Sequence, residues 1–302
     1  MKVIALIVTY NRLQVLKECI ASVISQSRKP QDIIVVNNGS TDGTEEWLRN
    51  KPDIQYVTQQ NSGGAGGFNR GIREAYKAGA DQLWLMDDDT IPAHDALEKL
   101  LQAHEALMKE PDEFGFLASK VLWTSGEPHL MNRVEDPRHF NGIKAPEYYQ
   151  SIGVFPIKAA TFVSVLISRK AVRMAGLPLK EFFIWHDDIE YTIRITSYNL
   201  KGGQVPDSIA IHKTPTNYRE DIFLDEVKNA WKYHYGLRNQ LYFRRHDKSY
   251  GSYLRNVIKR IFVMPVKILV RRKDGRWPYI KAVWSSCWSA LWFNPRIEHV
   301  ED

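Results

Sequence analysis

The sequence predicts an α/β protein, a mostly parallel sheet flanked by helices, followed by a helical, basic carboxyl-terminal extension. Three observations carry that expectation. Strand and helix patterns alternate from residue 3 to residue 108, the mark of βαβ units. The strand runs are nearly continuous in apolar, β-branched residues, as strands covered on both faces must be. Each of the first strands also ends in polar residues, where parallel sheets bind their ligands. At 302 residues the chain suits one large or two ordinary domains. Residues 1–215 read as the α/β part, in halves of about 1–110 and 111–215, and residues 216–302 as the helical region.

Val3 to Thr9 is the first strand, and Tyr10-Asn11-Arg12 ends it. Leu16, Ile20, Val23 and Ile24 then follow helical spacing over Leu13 to Ser25. Asp32 to Val36 is the second strand, closed by the turn-forming stretch Asn37-Asn38-Gly39-Ser40-Thr41-Asp42-Gly43 before a helix over Glu45 to Arg49. Ile54 to Thr58 is the third. The stretch from Asn61 to Gly71 holds glycines at 63, 64, 66, 67 and 71 and is expected to precede and open a helix through Tyr76. Glycines there serve either close approach of a nucleotide or tight helix–sheet packing. Gln82 to Met86 is the fourth strand; Pro92 is expected in the first turn of a helix over Asp95 to Met108. Phe114 to Val134 reads as strand and loop, Glu135 to Gln150 shows no period, and Trp123, His129 and His139 are unassigned polar candidates there. Thr161 to Ser168 and Gln204 to Ile211 are further strands, with helices over Lys170 to Met174 and from about Asp187.

The formal net charge is +6, unevenly placed: the last fifty or so residues are rich in Arg and Lys and hold four of the nine tryptophans. That asymmetry suggests an anionic partner. Cys19 and Cys287 form neither a metal-spacing motif nor a disulfide framework, which suits a reducing, cytoplasmic compartment. The apolar run at the amino terminus is too short for a secretion signal and lacks a small-residue cleavage site. No apolar run reaches the roughly 18 residues of a spanning helix.

The chemistry concentrates in Trp84-Leu85-Met86-Asp87-Asp88-Asp89-Thr90, a buried run ending in three carboxylates. Clustered acids repel and raise one another's pKa unless something neutralises them. Alternation sends Asp87 and Asp89 to one side, where they can share a hard divalent cation, and Asp88 to the other. A second cluster, Trp185-His186-Asp187-Asp188-Ile189-Glu190-Tyr191, opens a helix; its acids are either helix-dipole partners or functional carboxylates. His212 stands 24 residues beyond Asp188 at a strand end.

Taken in order, Val8-Thr9-Tyr10-Asn11-Arg12, Asn37-Asn38-Gly39-Ser40, the Asn61 to Gly71 stretch, the Asp87 triplet, Trp185 to Tyr191 and His212 resemble a family 2 glycosyltransferase with the GT-A, Rossmann-like fold. The resemblance covers residues 1–213 and is strongest to the bacterial galactofuranosyl- and rhamnosyltransferase branch. It implies a nucleotide-sugar half and an acceptor half in residues 1–215. It implies nucleotide contacts from Tyr10, Arg12, Asn37 and Asn61, with Thr9, Asn38 and Gly64 in the same donor site. Asp87, Asp89 and His212 would hold Mn²⁺ or Mg²⁺, Asp88 would face the ribose or donor sugar, and Asp188 would be the catalytic base, with Asp187 as the fallback. Many relatives have two aspartates at Asn37-Asn38; asparagine can both donate to and accept from a pyrimidine edge, so uracil and thymine both stay readable. The implied reaction is inverting, metal-dependent transfer from UDP-galactofuranose, or else dTDP-rhamnose, to a lipid-linked or polysaccharide acceptor. Trp185, His186 and Arg238 are candidates for acceptor contact. A nucleotidyltransferase would want a basic glycine loop after the first strand, and a non-catalytic calcium-binding protein would show no turnover of a nucleotide sugar.

Ala230 to Arg245 reads as a helix whose Arg238 serves either a phosphate or a structural carboxylate. Residues 254–272 interleave Val257, Ile258, Ile261 and Phe262 with Arg255, Lys259, Arg260 and Lys267. Such basic amphipathic helices with aromatic residues fit an anionic membrane surface, here the inner face of the plasma membrane, or pack as a hairpin on the α/β part or on a second subunit. Nucleic acid fits the charge but leaves the acidic set unexplained.

Overall fold

The computed structural model describes residues 1–132, 134, 140–247 and 250–300; His139 lies outside them. The chain forms two compact units. The first comprises Met1–Lys180, Asp188–Tyr218 and the return from Ile297; the second comprises Glu181–Asp187 and Arg219–Arg296. Two short segments, Glu181–Asp187 and the return from Ile297, thus interleave the two units along the chain.

In the first unit β1 (Val3–Thr9), α1 (Leu13–Ile24), β2 (Asp32–Asn37), α2 (Thr44–Arg49), β3 (Gln55–Thr58), α3 (Gly63–Lys77) and β4 (Gln82–Asp87) follow the expected alternation. After them come β5 (Thr90–Pro92), α4 (Ala96–Leu107), β6 (Phe114–Leu122), α5 (Pro146–Ser151), β7 (Phe155–Ile157), β8 (Val165–Ser168), α6 (Arg169–Ala175), α7 (Asp187–Ser197) and β9 (Lys201–His212). The sheet has nine strands among the described residues, in the order β3-β2-β1-β4-β8-β6-β9-β5, with β7 on β9. Its first half is parallel throughout, while β8 runs antiparallel to both β4 and β6. The whole sheet is thus mixed. Alternating residues divide the core: Ile4, Leu6 and Val8 pack with Phe68 and Ile72 of α3, whereas Val3, Ala5 and Ile7 pack with Leu16 and Ile20 of α1 and Leu100 of α4.

Two local expectations fail for identifiable reasons. Pro92 lies in β5, opposite Ala210 of β9; proline is tolerated on such a short edge strand, and α4 starts four residues later. The glycine-rich stretch does not precede α3 but forms its first turns. A Cβ on Gly67 would come within 2.4 Å of Val8 Cγ1 and one on Gly71 within 2.3 Å of Leu6 Cδ1. These two glycines let the helix lie close on β1, so packing accounts for them. Gly64 faces open space.

The carboxyl-terminal return completes this unit. Ile297 and Glu298 lie against Gly176, Leu177 N donates to Glu298 O at 2.8 Å, and Val300 is buried in the core. The Glu298 carboxylate pairs with Arg73 and Lys180. The second unit is helical: α8 (Ala230–Asp247), α9 (Tyr250–Ile258), a π-helical turn over Lys259–Val263, α10 (Met264–Arg271) and α11 (Arg276–Trp292). Its interior holds Tyr233, Ile268, Tyr279 and Val283, and Leu241, Tyr253 and Cys287.

Candidate active site

The site grows from the ends of β1 and β4. Val8 is paired with Asp87 in the parallel register, so the residues just past each strand meet. Thr9 Oγ1 donates to Asp88 Oδ2 at 2.7 Å. Arg12, at the amino end of α1, reaches both following acids, with Nη1 3.2 Å from Asp88 Oδ1 and 2.5 Å from Asp89 Oδ2. The like charges are therefore offset in part by a guanidinium.

β5 follows the triplet at once and runs antiparallel to β9 with Thr90 opposite His212. This register brings His212 Nε2 to 3.1 Å from Asp89 Oδ1. Ligand atoms of Asp87, Asp89 and His212 lie within 4.8 Å of one another. Asp89 Oδ1 is buried yet has no hydrogen-bond partner among the described residues.

Asn132 explains why. Its Nδ2 donates to Thr161 Oγ1 at 2.7 Å, which turns its Oδ1 toward His212 Nδ1, also at 2.7 Å. By this network Nδ1 carries the ring hydrogen, and the neutral imidazole presents a lone pair at Nε2. Two acceptors then face each other across 3.1 Å, an arrangement that requires a cation or a proton between them. Two carboxylates and an imidazole, with the second ring nitrogen held by an amide, form the donor set of a divalent-metal site. The residues fit the ion. Replacing Asn132 by Ala is expected to weaken Mn²⁺ affinity by about 10- to 100-fold, read by calorimetric titration.

His129 stacks on His212 with ring centroids 4.5 Å apart. Its Nδ1 accepts from Met131 N at 3.2 Å and its Nε2 faces Thr214 Oγ1 at 2.8 Å. Burial and the neighbouring His212 push its pKa down to about 4, so it stays neutral beside the cluster. Asn132, His129 and Thr214 had no signal as a set in the sequence; His129 alone stood out as a histidine.

Burial opposes ionisation of Asp89, but with a proton on His212 Nε2 in the place of a cation the charged ring, together with Arg12, outweighs it and holds that carboxyl well below the usual range. Asp88 goes the other way: burial, together with repulsion from Asp89, pushes it up to about 6 against the pull of Arg12 and Thr9. The folded chain keeps this proton through a window in which the unfolded chain has already lost it. Stability contributed at Asp88 is therefore greatest below the ordinary carboxylate pKa and falls as pH rises toward 6. In chelated, metal-free protein, the gap in thermal stability between Asp88→Asn and the parent is expected to shift in the variant's favour by up to about 3 kcal/mol between pH 4 and pH 7.

Of the other donor-site candidates, Tyr10 is exposed at the strand tip. The loops around it are tied by Asn11 N to Ser40 Oγ at 2.9 Å and Leu13 N to Asp42 Oδ2 at 2.9 Å. Asn37 and Asn38 are buried. Asn37 Nδ2 donates to Thr58 Oγ1 and its Oδ1 accepts from Ser40 N. Asn38 donates to Gly63 O and Asn61 Oδ1 and accepts from Gln59 and Ser62. Its amide joins β2 to the start of α3. Asn61 is exposed, and its Oδ1 also accepts from Gly63 N at 2.9 Å.

Asp187 and Asp188 occupy the first turn of α7, Asp187 buried and Asp188 half-buried, with Asp188 Oδ1 accepting from Ile189 N at 2.7 Å. The following Glu190 and Tyr191 are structural: Glu190 pairs with Arg194, which holds Leu177 O, and Tyr191 Oη donates to Gly176 O. In the second unit Phe183, Trp185 and His186 have φ of 65°, 65° and 69°, left-handed conformations that cost non-glycine residues energy. Arg238 and Asn239 hold this run. Arg238 Nη2 donates to Glu181 O, its guanidinium stacks on Phe293, and Asn239 Nδ2 donates to Phe182 O and Trp185 O. Arg238 thus donates to backbone carbonyls of this run. Trp185 packs against Gly236 and Tyr233, and His186 Nε2 accepts from Gln240; burial and Arg260 push His186 down to about 4.

A doubly covered sheet with an acidic cluster beyond its strand ends is the architecture of the GT-A fold. Residues 4–144, just under half of the chain, match the family described as "Glycosyl transferase family 2", and the chain resembles galactofuranosyltransferases over most of its length. It is 29% identical over 299 residues to "Galactofuranosyltransferase GlfT1" of Mycobacterium tuberculosis, covering 92% of this chain and 93% of that one. To the GlfT1 of Mycolicibacterium smegmatis it is 28% identical over 224 residues, covering 71% and 72%. Among solved structures it shares the fold of S. aureus TarS 1-349 in complex with UDP, with a TM-score of 0.57, 14% identity, and coverage of 96% of this chain and 81% of that one. It matches another S. aureus TarS structure with a TM-score of 0.53 and 15% identity, covering 92% of this chain but spanning only 41% of that one. These matches together support a hexosyltransferase.

Proposed function

We propose that this enzyme is an inverting, metal-dependent transferase that moves galactofuranose from UDP-galactofuranose to a lipid-linked or polysaccharide acceptor in bacterial cell-surface glycan synthesis. The observation that carries the metal-dependent reading is the Asp87–Asp89–His212 cluster, with its buried, unpartnered Asp89 Oδ1 opposite His212 Nε2. The donor reading is supported by similarity to the two GlfT1 proteins and by the UDP bound in a structural neighbour.

Asp87, Asp89 and His212 would hold Mn²⁺ or Mg²⁺, which when bound supplies Lewis-acid neutralisation of the departing diphosphate. Asp88, fixed by Thr9 and Arg12, is suited to accept hydroxyl hydrogen bonds from the ribose or the sugar. Tyr10, Asn37, Asn61 and Gly64 line the proposed nucleotide side. Asp188 takes the proton of the attacking hydroxyl. The bond from the anomeric carbon to the diphosphate oxygen breaks as the bond to the acceptor oxygen forms on the opposite face, which inverts the centre.

Calorimetry with UDP-galactofuranose, UDP-glucose, UDP-galactose and dTDP-rhamnose, each with and without Mn²⁺, tests this. Metal-dependent binding of UDP-galactofuranose in preference to the others is expected. Preference for dTDP-rhamnose would move the enzyme to the rhamnosyltransferase side of the branch, and metal-independent binding would overturn the proposed role of the cluster.

A further inference from the structure

The second unit carries an apolar surface that its own fold does not cover. Leu254, Ile258, Phe262, Val266 and Val270 recur every fourth residue along α9, the π-helical turn and α10, and they are 41%, 55%, 67%, 58% and 77% exposed. The same helices bury Tyr253 and Ile268, so the exposed stripe is the opposite face of a packed pair. A second stripe runs along α11: Trp277, Trp284, Trp288 and Trp292, of which Trp288 is 70% and Trp292 78% exposed, while Ile280, Val283 and Cys287 face inward. The two stripes are joined, since Trp284 Nε1 donates to Ile261 O at 3.0 Å, beside Phe262, and Trp277 packs edge-on against Trp284.

Charge chooses the partner. Between residues 254 and 292 the exposed ionised side chains are basic, Arg255, Lys259, Lys267 and Arg271 among them, with the single exception of Asp274, which pairs with Arg272. Arg260 and Arg272 are buried and spent on backbone carbonyls and Arg271 lies over the Phe223 ring, so the exposed Arg255, Lys259 and Lys267 are the surplus available to a partner. Aliphatic and indole side chains flanked by cations, with no spanning helix among the described residues, are what an element lying in the plane of a bilayer presents.

We infer that α9, α10 and α11 form an interfacial platform that docks the protein on an anionic phospholipid membrane, with both stripes in the headgroup boundary and the lysines and arginines on acidic headgroups. The inference deepens the proposed function by naming the surface at which a lipid-linked acceptor would be met, yet it rests on residues of the second unit alone.

The test is co-sedimentation of the full chain with vesicles of phosphatidylcholine, with and without phosphatidylglycerol. Binding is expected only to the anionic vesicles and is expected to weaken with added salt. The double variant Phe262→Glu/Trp288→Glu should lose about tenfold or more in partitioning. Reversing Lys259 and Lys267 to Glu should cost about fivefold for each basic group lost from near the surface. Both variants should keep the parental melting temperature and donor affinity in the absence of vesicles, so a failure of the donor reading would appear separately. No binding to anionic vesicles at low salt would overturn the inference. So would a doubled solution mass that Phe262→Glu/Trp288→Glu reduces to that of one chain, since the face would then be an interface between two copies.

Discussion

Asp188→Asn is expected to lower kcat for glycosyl transfer by about a hundred- to ten-thousand-fold while the Kd for UDP-galactofuranose changes little. The amide keeps the shape of the carboxylate and can still accept from Ile189 N, but it cannot take up a proton. The parent carboxylate sits in the first turn of α7, where the helix dipole favours its ionised form; in the resting enzyme a base must be ionised. Single-turnover kinetics with donor in excess, beside calorimetric donor binding, separate the two effects. Near-normal transfer by Asp188→Asn would move the role to Asp187, and Asp187→Asn would then show the loss instead.

His212→Ala should remove metal-dependent donor binding, with a loss on the order of a hundredfold in donor affinity at saturating Mn²⁺ for the parent. The reason lies in the buried geometry: without the imidazole, Asp89 Oδ1 loses the group opposite it, and two carboxylates alone make a poorer site. Chelating the parent protein should reproduce the variant's affinity, whereas chelating His212→Ala should change nothing further. An equal effect of chelation on both proteins would show that the metal acts elsewhere.

The parts legible in the sequence were those governed by strand physics. Continuous apolar runs, β-branched in β1 and β2 and built of Leu, Trp and Met in β4, located those strands, and an acidic triplet at a strand end marked the cluster. His212 was named from its place in a resembling pattern, and the structure supplies the cause in the β5–β9 register that sets Thr90 opposite it. What stayed hidden depended on long-range pairing without a local period. Asn132 lies 80 residues from the histidine it orients, in a stretch that read only as strand and loop. The glycines of α3 read equally well as a loop, because only the side chains of Leu6 and Val8 across the gap reveal what they are for. Arg238 read as a partner for either a phosphate or a structural carboxylate; its bonds to carbonyls are of a kind a sequence does not display.

The interleaving of the two units limits how this enzyme can be divided or recombined. The chain crosses the unit boundary after Lys180, Asp187, Tyr218 and Arg296. A fragment cut at residue 218 would keep Glu181–Asp187 but lose the Arg238 and Asn239 that hold it. It would also strip Val300 from the core and Glu298 from Arg73. Exchanging the helical unit for that of a relative therefore means replacing an internal stretch and its matching seven-residue insert together. The two units are accordingly expected to be inherited as one piece and not shuffled as separate modules.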